Sequence, residues 1–581
     1  MHRWLVCFGL WLVVGEAYAG GAKPRDASAE PVRLPAHTEA VPDRWRIPIG
    51  VWQRYDHPAS RGTETPYQTG PRTWHPYLQS LLKGDFPIWG QDVFLNLTVF
   101  NITEFEGRTL PKPSGVSTED PFRTEFYGSE REWFVSSNFG LRMDLFRGET
   151  AFKPVEWLLR LEPVLNVNHT DVQERNILFP DPRQRPERTK RFFALQEAFL
   201  ELHLADLSPN YDFLAVKGGN QAFNSDFRGF IFNDTNLGGR FLGNADNNHW
   251  QYNLAVFHMR EKDTFSGLND FRSRDQQVVV ANIYRQDFLT KGYTASLNFH
   301  ANFDGDDVHY DRVGNIVRPA PIGDVRPHEV RAFYLGWLGE GHIEWLNISH
   351  AFYQAFGTDE HNGLAGQRVD INAQMAALEL SVDRDWLRPK FSFFYASGDD
   401  DAEDDEATGF DSILDNPNFI GGPFSFWVRQ GFNLGGTLVA LKQPGSLLPN
   451  LRSSKTQGQA NFVNPGIFII GLGLEAELTP KLRAVVHANY LRFADANPVR
   501  VALHDDNVRT EIGWELNLGF TYRPLLTDNI IILAGVGALI PGGGFRDIYK
   551  TAPTPVPGVG GGGGDVEPAY FSGLLSVRLV Y

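Results

Sequence analysis

From residue 91 to the C-terminus, apolar side chains recur at every second position in one segment after another. That period belongs to a strand with one face in an apolar medium and the other in a polar one. Thr510–Arg523 shows it most fully: Ile512, Trp514, Leu516, Leu518, Phe520 and Tyr522 fall on one face, and Glu511, Gly513, Glu515, Asn517, Gly519 and Thr521 on the other. Tyr293–Phe303, Ser137–Phe146 and Val155–Glu162 repeat it. The segments run 8–14 residues, longer than an ordinary strand of about five or six and matched to the roughly 9–11 tilted residues that cross a bilayer. Helical periodicity is nearly absent. Past the N-terminus no apolar run approaches the ~20 residues of a spanning helix; the most apolar stretch, Ile530–Ile540, is half that.

Eighteen segments are read, starting near 91, 134, 155, 191, 212, 237, 250, 278, 293, 330, 342, 372, 391, 467, 483, 512, 529 and 570. Boundaries around 212–243 and 399–466 leave room for sixteen to twenty. The connections alternate between two classes. The short ones have eight residues or fewer (148–154, 207–211, 244–249, 289–292, 339–341, 383–390, 479–482, 524–528). The long ones have fifteen or more (105–133, 169–190, 221–236, 259–277, 304–329, 357–371, 399–466, 494–511, 541–569). An even number of antiparallel strands, with short periplasmic turns and long extracellular loops, is the layout of a bacterial outer-membrane β-barrel. In lipid every backbone N–H and C=O needs an internal partner, so a spanning sheet must close on itself. The all-β fold class expected is therefore a transmembrane antiparallel barrel over 91–581. Its hydrophobic content of 42% suits a wall that offers lipid only alternate residues.

The N-terminus gives the route. Met1–Ala19 has a basic start (His2, Arg3), an apolar core from Trp4 to Val14 and the small-residue end Ala17-Tyr18-Ala19, the pattern of a cleavable secretory signal. The single cysteine, Cys7, lies within it, so the mature chain has no disulfide and no thiolate ligand. Residues 20–90, Pro-rich and then carrying Trp45, Trp52, Trp74, Tyr77 and Trp89, form a periplasmic extension that plugs the lumen, docks a partner or leads into strand one. Phe303, Tyr490, Phe493, Trp514 and Tyr522, at strand ends, are expected in the interfacial aromatic girdles. On the last strand Phe571, Leu575, Val577, Leu579 and the terminal Tyr581 share a face. This looks like the recognition strand read by the barrel-assembly machinery.

No G-x-S-x-G, H-E-x-x-H, P-loop or cysteine metal pattern occurs, so no enzyme, no cofactor and no nucleic-acid partner is expected. Residues expected to line the lumen are Arg142, Arg160, Arg483 and Arg578, with Asp144, Glu162, Glu379 and Glu515 as acidic counterparts, and the polar His300 and Asn517. Both signs are present, so neighbouring charges pair across strands, and the net charge of −16 does not translate into cation selection. The acidic run Asp399–Glu406 (Asp399, Asp400, Asp401, Glu403, Asp404, Asp405 and Glu406) reads either as a hard-cation loop or as a solvated charge run. Gly558–Gly564, among prolines, reads as a linker-like loop.

An eighteen-strand barrel with a signal sequence, long outer loops and an aromatic C-terminus resembles the alginate-export porin family. Asn282–Phe288 (NIYRQDF) and Asp415–Trp427 (DNPNFIGGPFSFW) are similar to segments of bacterial barrels grouped near it. The resemblance implies a conduit for polysaccharide or small solutes, set in outer-membrane lipid and lipopolysaccharide. The lumen would be narrowed by inward-folded loops, chiefly 399–466. A barrel sheathing an outer-membrane cytochrome is the second reading.

Overall fold

The computed structural model describes residues 73, 80–113, 127–128, 130–148, 154–210, 212–550 and 566–581. The signal segment Met1–Ala19, most of 20–90 and the glycine run Gly558–Gly564 lie outside the described residues. Eighteen strands form the wall: β1 Val93–Thr109, β2 Arg131–Arg147, β3 Trp157–Val172, β4 Glu187–Asp206, β5 Phe213–Asn224, β6 Asn233–Ala245, β7 Trp250–Lys262, β8 Asn269–Arg285 and β9 Tyr293–Asp304, then β10 Val330–Ile343, β11 Leu346–Asn362, β12 Gln367–Val382, β13 Leu387–Ala396, β14 Ile467–Thr479, β15 Leu482–Arg492, β16 Glu511–Tyr522, β17 Ile530–Pro541 and β18 Tyr570–Val580. Each pairs antiparallel with its sequence neighbours, and β1 also pairs with β18, from Phe100↔Val580 to Arg108↔Ser572. The sheet is a closed eighteen-stranded barrel, with no helix long and apolar enough to cross a membrane among the described residues.

The two faces of each strand differ as the alternation requires. Trp514 and Leu516 are 50% and 45% exposed on the outside, while the alternate residues Glu515 and Asn517 are 0% and 4% exposed inside. Leu159, Leu254, Leu297, Leu335, Leu472 and Val536 continue the exposed outer apolar surface around the wall. A monomer in water does not leave an apolar surface of this extent uncovered.

The closing seam needs more than β18. Tyr581 exchanges backbone hydrogen bonds with Val99 at 2.9 and 2.8 Å, and there the last strand stops. Below that point the β1 edge is taken over by the chain that precedes it. Gly84 donates to the Leu95 carbonyl at 2.9 Å, and Leu97 donates to Leu82 at 2.7 Å. The Lys83 ammonium sits 4.4 Å from the centre of the Tyr581 ring. Unpaired backbone groups are costly in an apolar medium, and residues 82–84 satisfy those that β18 does not reach.

Two expected long loops are hairpins. β7 and β8 run on to Lys262 and from Asn269, leaving 263–268 as the connection, and β11 and β12 extend to Asn362 and from Gln367, leaving 363–366. These upper strand ends carry polar residues on both faces, so period two disappears although the backbone ladder continues; in β8 the register shifts between Asn269, Ser273 and Gln277. Phe493 is a correction of another kind. It is fully buried, whereas Phe303, Trp514 and Tyr522 are exposed and Tyr490 packs at 5.2 Å on Trp514. Phe493 falls on the inward parity, beneath the long loops.

Candidate functional site: a constricted lumen

The interior is occupied largely by the chain between β13 and β14, residues 397–466. Phe410, Phe426, Trp427, Phe432, Leu441, Leu451 and Phe462 from this segment are buried in one apolar core with the inward faces of the strands. Its entry is tied to the wall where β13 ends. Glu406–Ala407 pairs parallel with Asp370–Ile371 of β12, and Asp370 donates to the Asp405 carbonyl at 2.8 Å. Further in, Ile413 and Leu414 donate to the Ile231 carbonyl at 3.2 and 3.0 Å, and Asn418 to Arg228 at 2.9 Å. The shorter 225–232 connection thus also folds inward. Its own turn is closed by Asp226, whose carboxylate accepts from the N–H groups of Arg228 at 2.9 Å, Phe230 at 3.0 Å and Ile231 at 3.2 Å.

Buried polar groups in the inserted segment are satisfied by one another. Arg452 donates to Asp411 at 2.6 Å, with both side chains almost wholly buried, and Asp411 also accepts from Asn450 at 3.0 Å and from the Asn461 N–H at 2.8 Å. The Trp427 indole donates to the Leu447 carbonyl at 2.9 Å. Lys442 has no exposure, and its ammonium donates to the carbonyls of Trp427, Val428 (3.1 Å) and Gln430 (2.7 Å). Burial pushes its pKa well below the usual lysine value, and the neighbouring Lys455 pushes the same way.

The wall is shaped to receive this segment. A Cβ at Gly519 of β16 would lie 2.1 Å from the Phe424 ring, and one at Gly535 of β17 would lie 2.5 Å from it. Two adjacent strands therefore leave a notch that one aromatic side chain fills, and no larger residue fits either position without moving the ring. Past β18 on the same side of the wall, Arg429 donates to Glu106 of β1 at 2.6 Å, and Arg108 donates to Gln430 at 3.0 Å.

Among the described residues, two chambers lined by charged side chains lie within the lumen. At the short-turn end, a cavity of about 520 Å³ is lined by Arg228, Glu379, Lys390, Glu475 and Arg483. At the long-loop end, a space of about 1090 Å³ is lined by Glu106, Arg108, Glu132, Arg188, Arg429 and Lys455. Both are bounded by Asn418, Gly422 and Pro423, so the strap Asn418–Pro423 separates them. Gly421 and Gly422 in it have φ of +87° and +55°, a backbone that lets the strap turn tightly at little cost only with glycine.

All ten residues named above as lumen-lining point to the inside of the wall, but they fall into different settings. Arg142 donates to Glu162 at 2.5 Å. Arg160 binds Asp144 through two nitrogens at 2.6 and 3.0 Å and reaches Glu197 at 3.0 Å. Glu379 pairs with Arg228 at 3.2 Å and with Lys390 at 3.4 Å. Arg483 pairs with Glu475, which also takes Lys390 at 2.5 Å. Arg578 is exposed near the end of β18. Three face packed protein instead of open lumen. His300 is buried between Tyr334 and Tyr353; Glu515 is buried and accepts from Asn489 and Asn517 at 3.1 Å each; Asn517 lies under Gly421.

In the acidic run, carboxylates serve the loop's own backbone. Asp399 accepts from the N–H of Asp401 at 3.1 Å and of Thr408 at 3.4 Å, Asp401 from Glu403 at 3.2 Å, and Asp404 from Glu406 at 2.9 Å. Asp399 turns inward and is buried, and burial raises its pKa to about 7. Asp400, Asp401, Glu403, Asp404 and Asp405 face solvent. Sequence reading did not single out Arg228, Lys390, Glu475, Asp411 or Arg452. Lys390 and Glu475 carried the same inward-parity signal as their neighbours, whereas loop residues have no periodicity from which a contact follows.

No protein-family model matches this chain, and no curated protein matches its sequence. Among solved structures it is similar to Pseudomonas aeruginosa OccK7 (OpdD), with 11% identity over 84% of this chain and 98% of that one and a TM-score of 0.44. It is likewise similar to Pseudomonas aeruginosa OccK5 (OpdH), with 11% identity over 84% and 97% and a TM-score of 0.43, and to Acinetobacter baumannii OccAB4, with 10% identity over 85% and 99% and a TM-score of 0.42.

Proposed function

We propose that this chain is a passive outer-membrane conduit, a porin or exporter that passes hydrophilic solutes or polysaccharide along a water-filled path. One observation carries the reading: an apolar outer surface encloses two charged chambers that meet at a strap, Asn418–Pro423. An eighteen-stranded wall is wide enough for an aqueous channel, and the inserted segment narrows it to a selective one. In this reading the short turns are periplasmic, the long loops face outward, Met1–Ala19 is the export signal, and Tyr581 presents the terminal aromatic to the assembly machinery. The outer apolar face meets lipid and lipopolysaccharide. The charges in both chambers are largely paired, which favours solutes that exchange hydrogen bonds with ion pairs over selection by net charge. The extent to which residues 397–466 fill the lumen weighs against a sheath around a cytochrome, because a second protein would have to displace them.

Planar bilayers loaded with the purified protein test the proposal. Stepwise ohmic conductance, reduced by a permeating oligosaccharide, is the expected result. A folded barrel that inserts but conducts no ions under any applied potential would overturn it.

A further inference from the structure

The outer face of the β3–β4 hairpin carries a cluster that conduction does not use. His169 and Asp171 stand two residues apart on β3 and point outward together. Asp171 lies directly opposite Glu187 of β4, and His169 opposite Thr189. One ligating atom from each of His169, Asp171 and Glu187 lies within 4.8 Å of the other two. A tetrahedral ion with bonds near 2.0–2.2 Å has a ligand–ligand edge of roughly 3.4 Å, so binding would draw these atoms inward by up to about 1.4 Å.

Three features set this group apart from a scatter of surface charge. First, like charges placed directly opposite in an antiparallel ladder repel, and Asp171 and Glu187 occupy such a pair. Arg185 reaches Oε1 of Glu187 at 3.2 Å, leaving Oε2 and the Asp171 carboxylate for another cation. Second, the imidazole is oriented as a ligand is: Nδ1 is 2.7 Å from the Thr189 hydroxyl, leaving Nε2 for a metal, and metal-ligating histidines characteristically have the second ring nitrogen engaged in this way. Third, the Trp133 ring packs 4.9 Å from the His169 ring and walls one side of the site.

We propose that His169, Asp171 and Glu187 form a divalent metal site of the zinc class on the outside of the barrel, with the Thr189 hydroxyl as its positioning group. One imidazole nitrogen and two carboxylate oxygens suit a borderline ion that takes three protein ligands and keeps a fourth position open. Calcium, which takes six to eight oxygens, does not fit this donor set. The site lies where the outer face changes character. Below it on β3 the outward residues are Val167 and Leu165, and on β4 the exposed Phe193. A bound ion would tie the two strands together beside the apolar surface.

Zinc titration of the full-length mature protein in detergent micelles, read by competition with a chromophoric chelator, tests the site. One Zn²⁺ per chain is expected, with the affinity lowered at least about tenfold in each of His169→Gln, Asp171→Asn and Glu187→Gln, and up to about tenfold in Thr189→Val. Loss in fewer than all three ligand variants overturns the proposal, as does a calcium affinity equal to that for zinc. A second measurement does not depend on any variant folding. Co²⁺-loaded wild type should show intense visible ligand-field bands that one equivalent of Zn²⁺ removes, and the weak spectrum of a hydrated ion would overturn the assignment.

Discussion

Two arcs of the same wall treat the lumen differently. Along β2, β3 and β4 the inward residues include long charged ones that neutralise one another across neighbouring strands: Arg142 with Glu162, Arg160 with Asp144 and Glu197. Along β16 and β17 the inward residues include Gly519, Gly535 and Gly537, and the space they leave is filled by Phe424 and Phe426 of the inserted segment. Where none of the described residues of the inserted segment pairs with the wall, the wall covers itself with ion pairs. Where the inserted segment presses, the wall gives up its side chains. The position of the constriction is thus set by which strands carry glycine on the inward parity, together with the polar anchors that hold the segment against nearby β1.

The largest effect is expected from the buried anchor. Arg452→Ala leaves Asp411 charged in a dry interior, and breaking a buried pair in this way costs about 3–5 kcal/mol. The inserted segment should detach, seen as protease cleavage within 410–460 while the barrel keeps its heat-resistant migration on gels. Gly519→Val comes next. Its side chain meets the Phe424 ring, overpacking worth about 1–3 kcal/mol, and it should raise channel noise and conductance without unfolding the wall; the double variant with Phe424→Ala should restore quiet current.

A smaller effect concerns pH. Burial holds the Asp399 carboxyl near 7, above its unfolded value of about 4, so the folded state keeps a proton that the unfolded chain releases. Stability from this group is therefore full below about pH 4 and is lost as pH rises through 7, by at most about 1.4 kcal/mol per unit. The melting temperature should fall between pH 5 and pH 8, and Asp399→Asn should flatten that dependence. The smallest effect belongs to the self-covered arc. Arg142 is 37% exposed, so Arg142→Ala should cost under about 1 kcal/mol. The freed Glu162 should tilt reversal potentials towards cations.

The same contrast explains how much could be read from the chain. The wall was legible because its two faces meet different media, and that requirement writes period two into every spanning stretch. Strand starts expected near 250, 293, 330 and 467 fall at Trp250, Tyr293, Val330 and Ile467. Legibility fails where the medium no longer differs between the faces. β8 begins at Asn269, well before the expected 278, because Asp270–Gln276 are strand in which every residue but Phe271 is polar, so both faces lack the apolar alternation. The inserted segment is a further step from the sequence pattern. Asp415–Trp427 is a distinctive stretch in the sequence. That Phe424 meets Gly519 and Gly535, or that Arg452 meets Asp411, follows from tertiary packing that no local period encodes. The same limit placed Phe493 in the girdle, when only its parity, inward, told where it belongs.

The account's central claim is that residues 397–466 set the conductance. The direct test replaces 412–462 with a short Gly-Ser linker and compares single-channel currents with the wild type under identical salt. A several-fold rise in conductance, with loss of any discrimination between small oligosaccharides, is the predicted result. Equal conductance in a correctly folded shortened barrel would contradict it.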